Sequence, residues 1–384
     1  MKRAALTGLF VVLAASLAVA VGTSRNTRQT LDLSGPRART VASDRPKKPD
    51  IYYIVLDRYA GPRTLKADYG HDNEPFLNWL RQKGFSVQDR GRANYPRTSH
   101  SVASTLNMRY LDDLAGKSGP MNFGPVYKLL KRPLVARFLK SRGYRYIKLG
   151  SWWKATSSDP FADKNYHYDR PEYINRYAEV HGLTRRERFR EGEYVHRHWQ
   201  YKILRTVIPK MRGPKFTWVH ILCPHEPFLI NAKDQFLSND PVSRKLFPRS
   251  RPLYKSNAEN YLQQVLWTNE QLKTLVNTLL KGPVSSRPVI AIVADEGPYD
   301  GLTPSSTTGI TIHKMKQKLY VMNAVYLPGV ENPPFFDSIS SVNTFRIIFN
   351  LYFGTKYALL PDRSFIFTRH SLYHYLDVTE LITH

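Results

Sequence analysis

PDIYYIVLD, residues 49–57, decides the fold. Ile51–Leu56 is an unbroken apolar run that stops at a carboxylate, Asp57. A strand with one wet face would alternate apolar and polar residues. A short continuous apolar run instead fits a strand buried on both faces, as in a parallel sheet covered by helices. VIAIVA, residues 289–294, repeats the pattern and stops at Asp295-Glu296-Gly297-Pro298. Further strand-like runs are Tyr144–Leu149, Phe216–Leu222 and Leu319–Leu327. Between them, helical patterns cover Asn73–Lys83, Ser99–Tyr110, Val126–Arg142, Arg185–Ile208, Asn257–Lys281 and Val342–Phe353. Such alternation predicts an α/β fold with a largely parallel central sheet. No internal repeat and no second linker occurs after residue 50, so residues 49–384 read as one domain.

The two strand-end acids matter because ligands of open α/β sheets gather beyond the carboxyl ends of the strands. Neighbouring parallel strands would bring Asp57 and Asp295 to one edge, with Glu296 beside them. Converging carboxylates repel one another unless a cation holds them, and hard oxygen donors favour Mg²⁺, Mn²⁺ or Ca²⁺. The plain alternative is that each acid caps a following helix or turn.

Two other segments can carry chemistry. Asn94-Tyr95-Pro96-Arg97-Thr98-Ser99-His100-Ser101 leads into a helix. A hydroxyl at such a start is placed to attack an anion that the helix N-terminus favours. Thr98 is therefore either a nucleophile, activated by a metal, or simply an N-cap. His220-Ile-Leu-Cys-Pro-His225-Glu-Pro-Phe228 leaves a strand, and its histidines either bind a phosphoryl oxygen or protonate a leaving alcohol, or serve as packed core residues. The basic, aromatic stretch from Arg185 to Tyr201 reads as a solvated helix or as a surface for an anionic polymer or headgroup. Trp152-Trp153 reads as core or as a sugar-stacking platform.

The amino terminus carries an address. Met1-Lys2-Arg3 precedes an uncharged stretch, Ala4–Gly22, just long enough to cross a bilayer. Ala18-Val19-Ala20 also suits a signal cleavage site. Residues 1–22 are thus a signal-anchor or a cleaved signal peptide, and either puts the rest outside the cytoplasm, at the membrane or secreted. Seven Lys/Arg between Thr23 and Asp50 oppose this by a strict positive-inside count. Residues 23–48, rich in Ser, Thr, Arg and Pro, read as a basic flexible linker.

The 384 residues hold 57 Lys+Arg against 31 Asp+Glu, a net charge of +26, and one cysteine. A single cysteine excludes an intramolecular disulfide framework and a Cys-based zinc cluster. The charge calls for anionic partners. It is scattered from Lys2 to Arg369 without finger spacing or an RNA-binding signature. No nucleic acid is expected, and an anionic envelope lipid or polymer explains the charge as well.

Together these segments resemble the sulfatase-like branch of the alkaline phosphatase superfamily, specifically envelope members such as lipoteichoic acid synthases and phosphoethanolamine transferases. The resemblance spans most of residues 50–370. It is carried by residues 49–57, the Thr98 segment with Leu106-Asn107, His220–Phe228 and Asp295-Glu296-Gly297. The tail, Ser338–Arg346 through Phe353-Gly354 and Leu360-Pro-Asp-Arg363, resembles a bacterial sulfatase-like subgroup. The resemblance implies an alkaline-phosphatase-like three-layer sandwich and a metal-assisted double displacement through a phospho-threonine. By its motifs Asp57 is the first metal carboxylate, Thr98 the nucleophile and a metal contact, and Asp295 the aspartate of an Asp-His-Gly metal motif. His225 and His220 match histidines that hold the substrate phosphate or complete a metal site. Arg97 and Arg58 fall beside these positions as substrate contacts, although Arg58 could merely pair with a carboxylate.

Two departures stand out. Asp-His-Gly reads Asp295-Glu296-Gly297 here, so coordination by Glu296 would give an all-oxygen site preferring Mn²⁺ or Mg²⁺, with Ca²⁺ also suited. Arg58 follows Asp57 where two-metal relatives carry another acid, which implies one cation. Sulfatase maturation needs a Cys or Ser in a Cys/Ser-x-Pro-x-Arg setting; Cys223 sits elsewhere and Thr98 cannot be matured that way. The expectation is an extracytoplasmic, metal-dependent phosphoryl-ester transferase or hydrolase acting on envelope glycolipid or polymer. The alternatives are a non-catalytic binder of anionic glycans or lipids, and a sulfuric ester hydrolase.

Overall fold

The protein is described by a computed structural model covering residues 39–40, 45–116, 122–298, 310–368 and 370–383. The expected signal or anchor segment, residues 1–22, lies outside these residues. Among them, no helix is long and apolar enough to cross a membrane.

Seven strands form one sheet: β2 (Ile51–Asp57), β3 (Phe85–Val87), β4 (Arg145–Leu149), β5 (Lys164–Tyr166), β6 (Lys215–Pro224), β7 (Val289–Ala294) and β8 (Asn323–Tyr326). Their order is β3-β8-β7-β2-β6-β4-β5. β2 lies at the centre, parallel to β6 on one side and to β7 on the other. Only β8 runs against the rest, pairing antiparallel with β7 and β3. A short antiparallel pair joins β1 (Arg39–Thr40) to β9 (Val330–Glu331), and β10 (Phe365–Thr368) pairs with β11 (Ser371–Asp377) as a hairpin. The architecture is the mixed α/β sandwich expected, with a mostly parallel central sheet.

Alternation along each strand sends successive side chains to opposite faces. Tyr53 and Val55, Phe216 and Trp218, and Ala291 and Val293 enter one core, with the helices Thr98–Asn107, Leu134–Ser141 and Thr344–Phe353. Ile54 and Leu56, Val219 and Ile221, and Ile290 and Ile292 enter the other, with the helices Glu74–Gln82, Arg185–Thr206 and Asn257–Leu279. Both faces are covered, so Ile51–Asp57 is buried throughout. That double burial is the physical reason for the unbroken apolar run.

Two expectations are corrected. The helical pattern Val126–Arg142 is two helices, Gly124–Leu130 and Leu134–Ser141. Pro133 lacks an N–H and its ring excludes helical geometry at the residue before it; Arg132 adopts φ +60° there. The run Leu319–Leu327 is not one strand either. Leu319 ends the helix Ile312–Leu319, whose first turn is capped by Thr311, and the strand begins at Asn323. Of the expected linker, 23–48, the described part touches the domain. Arg39–Thr40 pairs with β9, the Arg45 guanidinium lies 4.4 Å from the Tyr352 ring centre, and Lys48 donates to Arg142 O at 3.1 Å.

Candidate metal centre

Strand register and side-chain parity assemble the site. Asp57 follows Tyr53 and Val55 on one face of β2, and Asp295 continues the same face beyond Val293 on β7. His220 lies on that face of β6 beyond Phe216 and Trp218, opposite Val55 in the ladder. All three point over the face that carries the Thr98 helix. One donor atom from each of Asp57, His220 and Asp295 lies within 4.8 Å of the other two. None is more than 4% exposed.

The contacts inside this trio have an unusual length. His220 Nε2 stands 3.5 Å from Asp57 Oδ2 and 3.6 Å from Asp295 Oδ2, longer than good N–H···O hydrogen bonds. His220 Nε2, Asp57 Oδ1 and Asp295 Oδ2 are all buried without a hydrogen-bond partner. Donors about 2.0–2.2 Å from a tetrahedral zinc lie roughly 3.3–3.5 Å from one another, so the spacing fits ligands arranged around one divalent cation. On its other side, His220 Nδ1 is 2.9 Å from Thr156 Oγ1, which is 2.7 Å from Ser151 Oγ. A partner on the second ring nitrogen fixes tautomer and orientation, as metal-ligating histidines require.

Charge in the trio is strongly coupled. Burial pushes the Asp57 carboxyl up, but His225, His220 and Arg58 outweigh it and hold it well below the usual carboxylate range. Asp295 is raised by burial and by the Asp57 charge, against the opposing pull of His220. Burial alone would lower His220; the two aspartates facing its Nε2 push it up to about 9.

Glu296, expected as a ligand, does not join the trio. Its Oε1 lies 2.9 Å from Lys318 Nζ and 3.2 Å from Arg58 Nε, while its Oε2 is buried without a hydrogen-bond partner. Lys318 reaches it because the helix Ile312–Leu319 crosses close by: Gly297 N donates to Lys318 O at 2.7 Å. A Cβ at Gly297 would stand 1.9 Å from Gln317 O, which explains the glycine of Asp-Glu-Gly. Arg58 adopts φ +64°, donates its backbone N–H to Asp295 Oδ1 at 3.2 Å, and also faces Glu226 at 3.6 Å. Its guanidinium is paired with carboxylates.

Thr98 is the first residue of its helix; the N-cap is Arg97, which gives no side-chain cap. The capping alternative for Thr98 is thereby removed, and the half-buried hydroxyl sits beside backbone N–H groups that have no partner within the helix. The Arg97 guanidinium stacks 5.5 Å from the Phe123 ring centre. His225 is half-buried, and its backbone N–H donates to Asp57 O at 3.1 Å. Cys223 is buried against Thr268 and Arg197, a packing role. Trp153 packs beside His220, whereas Trp152 is 44% exposed. Thr156 and Ser151 carry no local signal, because Thr156 meets His220 from 64 residues away and Ser151 reaches it only through Thr156. Lys318 lies just before the run that reads as strand, on a helix with no local tie to Glu296.

Comparison with known proteins agrees with this architecture. The Sulfatase family model matches residues 49–321. No curated protein matches the chain. Among solved structures, the C-terminal periplasmic domain of EcEptC from Escherichia coli superposes with a TM-score of 0.50 at 14% identity, covering 89% of this chain and 95% of that one. The same domain in complex with Zn gives the same values. The phosphonate monoester hydrolase of Agrobacterium radiobacter superposes with a TM-score of 0.51 at 11% identity, covering 83% of this chain and 80% of that one. At these identities the likeness is one of fold.

Proposed function

The chain belongs to the sulfatase family, and from that membership we propose that it is an extracytoplasmic, metal-dependent phosphoryl-ester transferase or hydrolase acting on envelope glycolipid or polymer, with Thr98 as nucleophile. The observation that carries this reading is the buried trio Asp57, His220 and Asp295, whose open donor atoms face one another on the side of the sheet that holds the Thr98 helix. A divalent cation in that site lowers the pKa of a nearby hydroxyl and offsets charge on a phosphoryl oxygen.

The remaining chemistry belongs to the chain's own groups. Thr98 Oγ1 gives up its proton to solvent and forms the bond to phosphorus while the ester oxygen's bond breaks, and the leaving alcohol takes up a proton, a donation we assign to His225. The first backbone N–H groups of the helix Thr98–Asn107 favour the phosphoryl anion. Water or an acceptor hydroxyl then attacks the same phosphorus and gives its proton to His225, while the bond to Thr98 Oγ1 breaks and that oxygen regains a proton from solvent. Thr156 holds His220 with Nε2 turned inward.

One imidazole and two carboxylates suit zinc or manganese better than an all-oxygen set would. The periplasmic setting of the EcEptC domain, and its complex with Zn, support an extracytoplasmic metalloenzyme. The test is turnover of bis(p-nitrophenyl) phosphate and p-nitrophenyl sulfate by the full chain with Zn²⁺ or Mn²⁺, alongside Thr98→Ala. The proposal expects phosphodiester cleavage that the substitution abolishes, with a phosphorylated Thr98 peptide by mass spectrometry. Unimpaired turnover in Thr98→Ala removes the nucleophile, and preference for the sulfate ester removes the substrate class.

A further inference from the structure

On the outer side of the helix that supplies Lys318 lies a cavity of about 350 Å³. Its walls come from the helices Pro62–Tyr69 and Ile312–Leu319, from Arg90 and Ser338, and from the C-terminal residues Ile382 and Thr383. No residue of the candidate metal centre lines it. Its charge is unbalanced. Asp68 in the wall is taken by His313 at 2.9 Å, and Asp337 at the edge is taken by Arg90 at 2.5 Å. Among the described residues, neither Arg63 nor Lys316 has a carboxylate partner, so two free cations remain in the wall.

The segments that build the walls also expose large apolar side chains. Ile312 precedes His313 on one helix, Leu381 precedes Ile382 on another, and Phe336 belongs to the segment that carries Ser338; they are 47%, 50% and 45% exposed. A soluble anion would use the cations and leave these side chains in water. Nucleic acid would use the cations and stack on planar rings, which Ile312 and Leu381 do not offer. A cationic hollow whose wall segments also expose apolar side chains matches the interface of an anionic bilayer, where apolar side chains enter the acyl boundary and Lys and Arg meet phosphate.

We propose that this cavity and its wall segments form a membrane-docking site that seats the phosphate headgroup of an anionic phospholipid between Arg63 and Lys316, with Ile312, Phe336 and Leu381 entering the interface. The site does not depend on the ester chemistry. It sets one face of the helix Ile312–Leu319 on the lipid while Lys318 faces Glu296, so docking holds the carboxyl edge of the sheet close to the bilayer.

Because residues 4–22 would bring the full chain to any vesicle, the test reads contact locally. Cys223 is the sole cysteine and is buried, so Phe336→Cys in the full chain accepts an environment-sensitive dye selectively, with Val180→Cys, 73% exposed, as control. The vesicles are phosphatidylcholine with or without phosphatidylglycerol, and nitroxide-labelled lipid is the quencher. The proposal expects a blue shift and quenching at position 336 but not at 180, requiring phosphatidylglycerol. It also expects at least about a tenfold weaker lipid response when Arg63→Glu and Lys316→Glu are combined. A dye at 336 that stays in water, or responds equally without phosphatidylglycerol, overturns it. The same shift with glycerol phosphate alone would make the cavity a soluble-anion site. A shift with polyglutamate but not with vesicles would assign the surface to an acidic protein.

Discussion

Asp295 and Glu296 are neighbours in sequence and face opposite circumstances. Asp295 turns onto the face of the sheet shared with Asp57 and His220, and its Oδ2 is buried without a hydrogen-bond partner. Glu296 turns toward Lys318 and Arg58, whose nitrogens lie 2.9 and 3.2 Å from one oxygen. One carboxylate has an open valence facing two other donors; the other already holds two cations supplied by the chain. A buried acid is therefore not a metal ligand by burial alone. The fold decides, through what it brings opposite.

The largest effect expected from this contrast is on Asp295→Asn. It should weaken zinc or manganese binding by at least about 10³-fold, roughly 4 kcal/mol, measured by competition with a chelating dye, while the sheet stays intact by circular dichroism. Retention of wild-type affinity would remove Asp295 from the site. Glu296→Gln should instead leave metal affinity within a few-fold and lower stability by about 3 kcal/mol, since it strips a charge from beside buried Lys318; urea unfolding measures it. Equal losses of metal affinity from both substitutions would erase the distinction.

Proton linkage sharpens the comparison. In the metal-free chain His220 is raised to about 9 from an unfolded value near ~6.5. Its stabilising contribution is thus complete below pH ~6.5 and is lost as pH rises through 9, with a slope no steeper than about 1.4 kcal/mol per pH unit. Thermal melts of the metal-free chain should fall across that window, and His220→Gln should remove that component. An unchanged slope in the variant would show that the proton sits elsewhere. The smallest effect is on Thr156→Val, which keeps the volume but loses the bond to His220 Nδ1. It should cost about tenfold in metal affinity, since outer partners of ligating histidines contribute on that scale; titration as for Asp295 reads it, and an unchanged affinity would leave Thr156 as packing.

What the sequence revealed follows from what is local. Ile51–Leu56 and Val289–Ala294 announce doubly buried strands because both faces of the sheet are covered, and the acids that end them mark the carboxyl edge. Thr98 at a helix start is local too. His220 is harder to place: its part in the trio comes from sharing a face with Phe216 and Trp218 and from lying opposite Val55 in the ladder, a relation between strands. Glu296 read as a ligand because it follows the strand-end Asp295 and stands where the motif carries a histidine; its partner Lys318 sits on a distant helix that no local pattern ties to it. Pro133 did signal the break between two helices, yet the apolar pattern runs across it. Thr156 left no trace, since a hydroxyl 64 residues from its histidine has no periodicity to betray it.

The central claim is that Asp57, His220 and Asp295 hold one cation and that Glu296 does not. The most direct test is the metal content of His220→Ala and Glu296→Gln after both are loaded with zinc, dialysed against metal-free buffer and analysed by inductively coupled plasma mass spectrometry. One equivalent retained by Glu296→Gln and lost by His220→Ala is the predicted result. Zinc retained by His220→Ala and lost by Glu296→Gln would contradict it.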